Sequence, residues 1–409
     1  MAEFDIYADR YYERYSNNGV LYGNGIERDQ PMTPKPSDVS LVSSTPSKLL
    51  PLELCRFLAA VLVACFHAGA SINKYYGFDI REVRNFGAGV DFFFVLSGFV
   101  MTYAHWYDIG RADRVKRYCV KRFLRIYPPY WIITGLIVIF YLFDPSYGDE
   151  SRRDLAKLFC SIFLLPYTAQ PVVGQAWTLV HEMFFYALFA LVIIFGRKAL
   201  AGFVVWAICI LLWQAPHVND YRSDPLFAFP VSFYLSPFNI EFIFGVGIGL
   251  LVRRGWRHLS GTLALSGILL FVLALIFVDY RIVGDFAARL AFGAAAAIAI
   301  LGLASLPWRV SAGLAALLGI LGAASYPLYL VHPMVETVVI RMLLKFGSAQ
   351  GSPWMVMVIL VSSAVVGGVL FAYGVERPLN RILQGRLLPS PVTAAPVPIS
   401  PIAPVGSGD

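Results

Sequence analysis

A polar stretch of nearly fifty residues opens the chain, and from Leu49 onward apolar positions crowd into long runs separated by short polar links. A run of roughly 18 apolar residues, coiled as a helix, matches the hydrocarbon thickness of a bilayer. The pattern predicts ten such spans, at 49–71, 87–106, 126–143, 177–196, 199–215, 236–252, 260–278, 286–304, 322–344 and 354–375. The segment 311–321 is apolar but short and reads as an interfacial piece, and 155–167 reads as a partly buried loop helix. The expected fold class is therefore all-α: a polytopic transmembrane helical bundle of about ten spans. Three regions follow: a polar N-terminal tail over 1–48, a membrane domain over 49–376, and a proline-rich tail over 377–409.

Composition strengthens this picture. The chain is 58% hydrophobic and 14% charged, with a mean hydropathy of +0.64, whereas about a quarter of a soluble domain is charged. The net charge of +7 fits basic loops at a cytoplasmic face better than nucleic-acid binding, so no nucleic-acid partner is expected. The loop 107–125 concentrates Arg111, Arg114, Lys116, Arg117, Lys121, Arg122 and Arg125. Placing that loop inside makes both termini cytoplasmic. The N-terminal tail is rich in tyrosine and lacks a charged region followed by an apolar core, so no cleavable signal peptide is expected. Cys55, Cys65, Cys119, Cys160 and Cys209 form neither a CxxC nor a Cys/His spacing. They read as small apolar residues, and no metal site is expected.

The ionisable residues inside the spans are the informative ones, because charge is costly there and usually faces the bundle interior or a water-filled path. Arg56 and His67 stand eleven positions apart in the first span. Eleven helical steps turn about 1100°, close to three full turns, so the two share a face roughly 16 Å apart along the axis. Asp91 lies a few residues into the second span, and Glu182 about one and a half turns into the fourth. Counting inward from the outer surface puts both near His67. A carboxylate beside an imidazole holds one tautomer and raises its basicity, so His67, Asp91 and Glu182 form an expected catalytic tier. At the other end Arg122 and Arg125 share one helical face, near Arg56, with Ser325 and Tyr326 at the start of the ninth span. Arginines grouped at that level suit a phosphate-bearing ligand. Two tiers at opposite depths fit a donor with an anionic head and a slender arm, the shape of acyl-coenzyme A.

The same residues carry a resemblance. The Arg56/His67 pair, GVDFFFVLSGFVM, RFLRIYP, AWTLVHEMFFY, SYPLYLVHP and the closing VERP (Val375 to Pro378) resemble the acyltransferase-3 family of integral-membrane O-acyltransferases, over about residues 50 to 380. The resemblance implies transfer of an acyl group, usually acetyl, from cytoplasmic acetyl-CoA to a hydroxyl of an extracytoplasmic glycan or lipid-linked oligosaccharide. The compact form is similar to the exopolysaccharide acetyltransferases of Gram-negative bacteria, in their inner membrane. By position Arg56 and His67 match the family's essential pair, Arg122 and Arg125 its RxxR motif, Glu182 its glutamate, and Ser325 and Tyr326 its ninth-span motif. Thr178 stands where a serine is usual.

Each residue also has a plainer reading. Arg56 and Arg125 could snorkel to headgroups, Asp91 could favour a helix start, and Glu182 could pair with an arginine such as Arg289. His332, before Pro333, reads as filling a kink, and His105, His217 and His258 read as loop or interface residues. A transporter or flippase would also place polar residues in a bundle; dependence on coenzyme A separates the two. The oligomeric state and the acceptor are not legible.

Overall fold

The computed structural model describes residues 49–143, 154–168, 170–215, 229–306, 308, 310–346 and 352–388. The expected polar tail over 1–48, the proline-rich stretch beyond 388 and His217 lie outside them. Among the described residues the chain is helical without strands. The helices are α1 Leu50–Tyr76, α2 Gly89–Ala104, α3 Val115–Phe143, α4 Leu155–Ile162, α5 Trp177–Phe195, α6 Arg197–Gln214 and α7 Val231–Tyr234. They continue with α8 Pro237–Arg253, α9 Ser260–Phe277, α10 Tyr280–Ser305, α11 Ala312–Lys345, α12 Pro353–Phe371 and α13 Arg377–Leu387. Nine helical stretches among the described residues are long and apolar enough to cross a membrane. The expected span at 126–143 forms the second half of α3. This is a multi-pass membrane protein. Its outer faces show why: Leu212, Leu265 and Phe277 are each more than 70% exposed, an arrangement suited to lipid and not to water.

The apolar segment 311–321 is not a separate interfacial piece. It is the first third of α11, a continuous helix of 34 residues, about 51 Å long and well beyond the roughly 30 Å of a hydrocarbon core. Pro327 and Pro333 lie inside it; membrane helices tolerate such residues where neighbours satisfy the freed backbone groups. Ser325 and Tyr326 consequently sit deep within the helix, not at its start. The stretch read as a C-terminal tail also begins helically. After α12 a π-helical turn, Ala372–Glu376, leads directly into α13.

α8 is the packing centre, laid along α2 on one side and α10 on the other, while α1 lies between α2 and α11. The α2–α8 contact is backbone against backbone. A Cβ on Gly98 would collide with the Phe242 carbonyl oxygen, and one on Gly245 with that of Val95. Small residues drive helix association where both helix surfaces are as apolar as lipid, because they allow this close approach. Gly98→Ala should destabilise the bundle by about 1–3 kcal/mol. Thermal melting in detergent checks this, and an unchanged midpoint would mean the contact is slack.

α2 also begins below the surface. Two short 3-10 turns, Arg81–Val83 and Phe86–Ala88, carry the chain inward, and Gly89 packs against Ala59 and Val63 of α1. Asp91 therefore lies more than a turn deeper than His67.

Candidate active site

Six of the eight expected site residues converge. A cavity of about 110 Å³ is lined by Arg56 of α1, Arg122 and Arg125 of α3, Glu182 of α5, and Ser325 and Tyr326 of α11, with Ser97, Phe93, Phe94 and Tyr329 among the remaining walls. Its polar residues come from five helices and its inner walls are mainly aromatic and aliphatic.

Arg122 is held most firmly. It is 5% exposed, and its Nη2 donates to His105 Nε2 at 2.8 Å. A guanidinium only donates, so Nε2 accepts and the ring carries its proton on Nδ1. That Nδ1–H donates to Asp108 Oδ2 at 2.8 Å. The guanidinium also lies over the rings of Tyr118 and Tyr186, at 5.7 and 5.3 Å. His105 is thus no loose loop histidine. It is buried and joins Asp108 to Arg122. Arg56 approaches Glu53 at 3.5 Å, and Glu376 of the closing VERP motif sits within the fields of Arg125, Arg56 and Arg377. The Ser325 hydroxyl donates to the Gly322 carbonyl at 2.7 Å. Tyr326 donates to the Ile126 carbonyl at 3.1 Å, which ties α11 to α3 just before Pro128 and Pro129.

The expected catalytic tier does not form. Glu182 lies with the arginines, where its Oε1 accepts from Ser97 at 2.8 Å. The helix start explains the shift: Trp177 follows a 3-10 turn, Gly174–Ala176, whose buried Gln175 donates to the Leu330 carbonyl at 2.7 Å. α5 therefore starts inside the bundle. Asp91 is fully buried and accepts from Arg289 Nη1 at 2.7 Å. The pair joins α2 to α10 and leaves His67 without either carboxylate.

The ring beside His67 belongs to His332, with centroids 5.1 Å apart. His332 is fully buried. Its neighbour Pro333 has no N–H, so the Tyr329 carbonyl four residues back lacks its helical donor. His332 Nδ1 fills that place, 2.8 Å from Tyr329 O and 3.2 Å from Leu328 O. His332 thus satisfies the carbonyl that its proline leaves open, and the same bonds aim the ring. Tyr329 connects the two levels. Its ring lies 5.9 Å from His332 and 5.9 Å from Phe93, and its hydroxyl is 2.7 Å from that of Thr178. Thr178 keeps the hydroxyl that a serine would supply. One turn beyond His332, Glu336 is 1% exposed, with no hydrogen-bond partner at either oxygen. The spacing of His332 and Glu336 at i and i+4 was the available sequence signal, as was His105-x-x-Asp108.

A second cavity, about 620 Å³, opens at the end of the bundle where α5 and α8 begin, with Trp177, His181, Phe233 and Gln170 among its walls. The ring of Phe94 separates the two spaces: it lines the arginine cavity and touches Trp177, His181 and Phe238, at 6.2, 5.8 and 5.2 Å.

Known proteins fit this arrangement. The profile of an acyltransferase domain, that of the acyltransferase-3 family, matches residues 50–373. The chain belongs to the acyltransferase-3 family. It is accordingly an acyltransferase. Over 322 residues it is 31% identical to the exopolysaccharide production protein ExoZ of Rhizobium meliloti (strain 1021), covering 77% of this chain and 94% of that protein. A second relative, protein 2 in the picA locus of Rhizobium radiobacter, is 28% identical over 166 residues, 36% of this chain and 83% of the relative. No solved structure matches the chain. The matched region contains every helix that lines the arginine cavity.

Proposed function

We propose that the protein is an inner-membrane O-acetyltransferase that takes acetyl groups from cytoplasmic acetyl-CoA and places them on hydroxyls of an exopolysaccharide or its lipid-linked precursor. The observation that carries the reading is the convergence of Arg56, Arg122 and Arg125 on one narrow cavity. Three guanidinium groups from two helices suit the phosphates of a nucleotide-bearing donor. The cavity's 110 Å³ compares with the roughly 10–15 Å³ that one water needs. It has room for part of a slender thiol arm running from the arginines to Tyr329, whose ring contacts His332 beside His67. The basic loop 107–125, at the same end as this cavity, supports a cytoplasmic mouth. The relative's name, exopolysaccharide production protein, supports the acceptor class.

When bound, the thioester supplies an activated acyl carbonyl. His67 accepts the proton of the attacking hydroxyl. Glu182, placed among the arginines, balances Arg122 and Arg125 and takes no part in orienting His67. Ser325 and Tyr326 shape the wall between donor arm and bundle core. Asp91 holds helices together.

Binding of acetyl-CoA to the detergent-purified protein tests the donor without requiring the acceptor. Charge-assisted hydrogen bonds contribute about 1.5–3 kcal/mol each, so Arg125→Ala and Arg56→Ala should each weaken binding by about tenfold or more. A well-folded wild type that shows no saturable binding would refute acetyl-CoA as donor.

A further inference from the structure

We propose that His332 is the positioning residue of the reaction: its Nε2 accepts the N–H of His67 and so presents the other nitrogen of His67, as a lone pair, to the acceptor hydroxyl. The inference rests on His67 being the base, as proposed above.

Three observations carry it. First, the tautomer of His332 is fixed by the backbone. Carbonyl oxygens only accept, so the bonds to Tyr329 O and Leu328 O require a proton on Nδ1, and a neutral ring then has its lone pair on Nε2. Second, that Nε2 is buried and has no hydrogen-bond partner, in a residue of 0% exposure. A buried acceptor without a donor is costly and calls for an explanation. Third, the ring of His67 lies beside it, 5.1 Å away between centroids, a separation at which two imidazole nitrogens can come within hydrogen-bond distance. Asp91 and Glu182, the carboxylates that the sequence placed beside His67, are bonded elsewhere, to Arg289 and Ser97.

The proton balance is simple. The neutral His67 carries one N–H, bonded to His332 Nε2, and its free nitrogen takes the hydroxyl proton as the oxygen attacks the acyl carbon. The imidazolium then gives a proton to the departing thiolate. His332 itself gains and loses none. An orienting partner of this kind matters because a base in the wrong tautomer offers N–H where a lone pair is needed.

The experiment compares wild type, His332→Phe and His332→Gln as full-length protein in nanodiscs. Transfer is followed as free thiol released from acetyl-CoA with de-O-acetylated exopolysaccharide as the acceptor probe. In parallel, ¹⁵N-histidine spectra read the tautomer of His67. Phenylalanine keeps the ring volume and removes both nitrogens; glutamine restores an acceptor. His332→Phe should lower kcat about a hundredfold or more, with KM for acetyl-CoA unchanged and His67 shifted from one tautomer to a mixture. His332→Gln should recover a large part of both. Unchanged kcat in His332→Phe, or a His67 tautomer that does not respond, would overturn the inference. If wild type itself transfers nothing, the proposed function fails, while the spectra still decide whether His332 orients His67.

Discussion

His67→Ala abolishes acetyl transfer and leaves acetyl-CoA binding intact: that is the expected result with the largest effect on activity. A positioned general base contributes about 10²–10⁴ in rate, and among the described residues no other imidazole stands in the same place. His332 is buried, with Nδ1 committed to backbone carbonyls. His181 lines the separate second cavity, and its Nδ1 donates to Asn239 at 3.3 Å. His105 is bonded on both nitrogens, to Arg122 and Asp108. None can substitute, so the loss should reach about a thousandfold. Binding should survive because His67 is not among the residues lining the arginine cavity. Thiol release and acetyl-CoA binding, measured on the same preparation, separate the two effects. Turnover near that of wild type would remove His67 from the chemistry. Failure to bind the donor would mean that the substitution disturbs the bundle, and His67→Gln would then take its place.

What the sequence makes legible here is the family and the helices, and what it obscures is depth. The long apolar runs announce the helices, and the spacing of Arg122 and Arg125 puts both on one face of α3, because helical periodicity is local. Depth is not local. Counting residues inward assumes that each span starts at the surface, yet α2 starts beside Ala59 and Val63 of α1. α5 likewise starts beneath a turn anchored to Leu330. Both carboxylates moved inward by that error, and Glu182 joined the arginines it was expected to face across the membrane. The 311–321 segment was misplaced for a related reason. Its glycines and the two prolines that follow look like an interruption, and only neighbouring helices decide that the chain continues through them. His332 was hidden by its proline. The residue pair reads as a kink, and that it also directs a ring onto His67 depends on how α1 lies against α11.

Asp91 is where the sequence and the structure make opposing predictions. As a partner of His67 it would be dispensable for folding, and Asp91→Asn would give a stable, inactive protein. The structure places it instead in a buried cluster at the crossing of three helices. Its Oδ2 is 2.7 Å from Arg289 Nη1, Glu241 of α8 lies alongside, and Asp285 approaches the same guanidinium at 3.7 Å. The guanidinium is further covered by the rings of Phe238 and Tyr280, at 4.6 and 5.2 Å. Removing one member of a buried pair strands the other without compensation, at a cost of about 3–5 kcal/mol. Asp91→Ala should therefore lower the melting midpoint and the folded yield in detergent, and Arg289→Met should do so too. The double variant removes both charges together and should recover part of the loss, since replacing a whole buried pair by apolar groups is often near neutral. A coupling of about 1–3 kcal/mol between the two sites would mark the interaction as direct. Additive losses would deny the pairing. An Asp91→Ala protein that melts like wild type but has lost transfer would return Asp91 to the active site. The remaining activity of the double variant decides the matter from the other side: with the helices held and His67 untouched, it should still transfer acetyl groups.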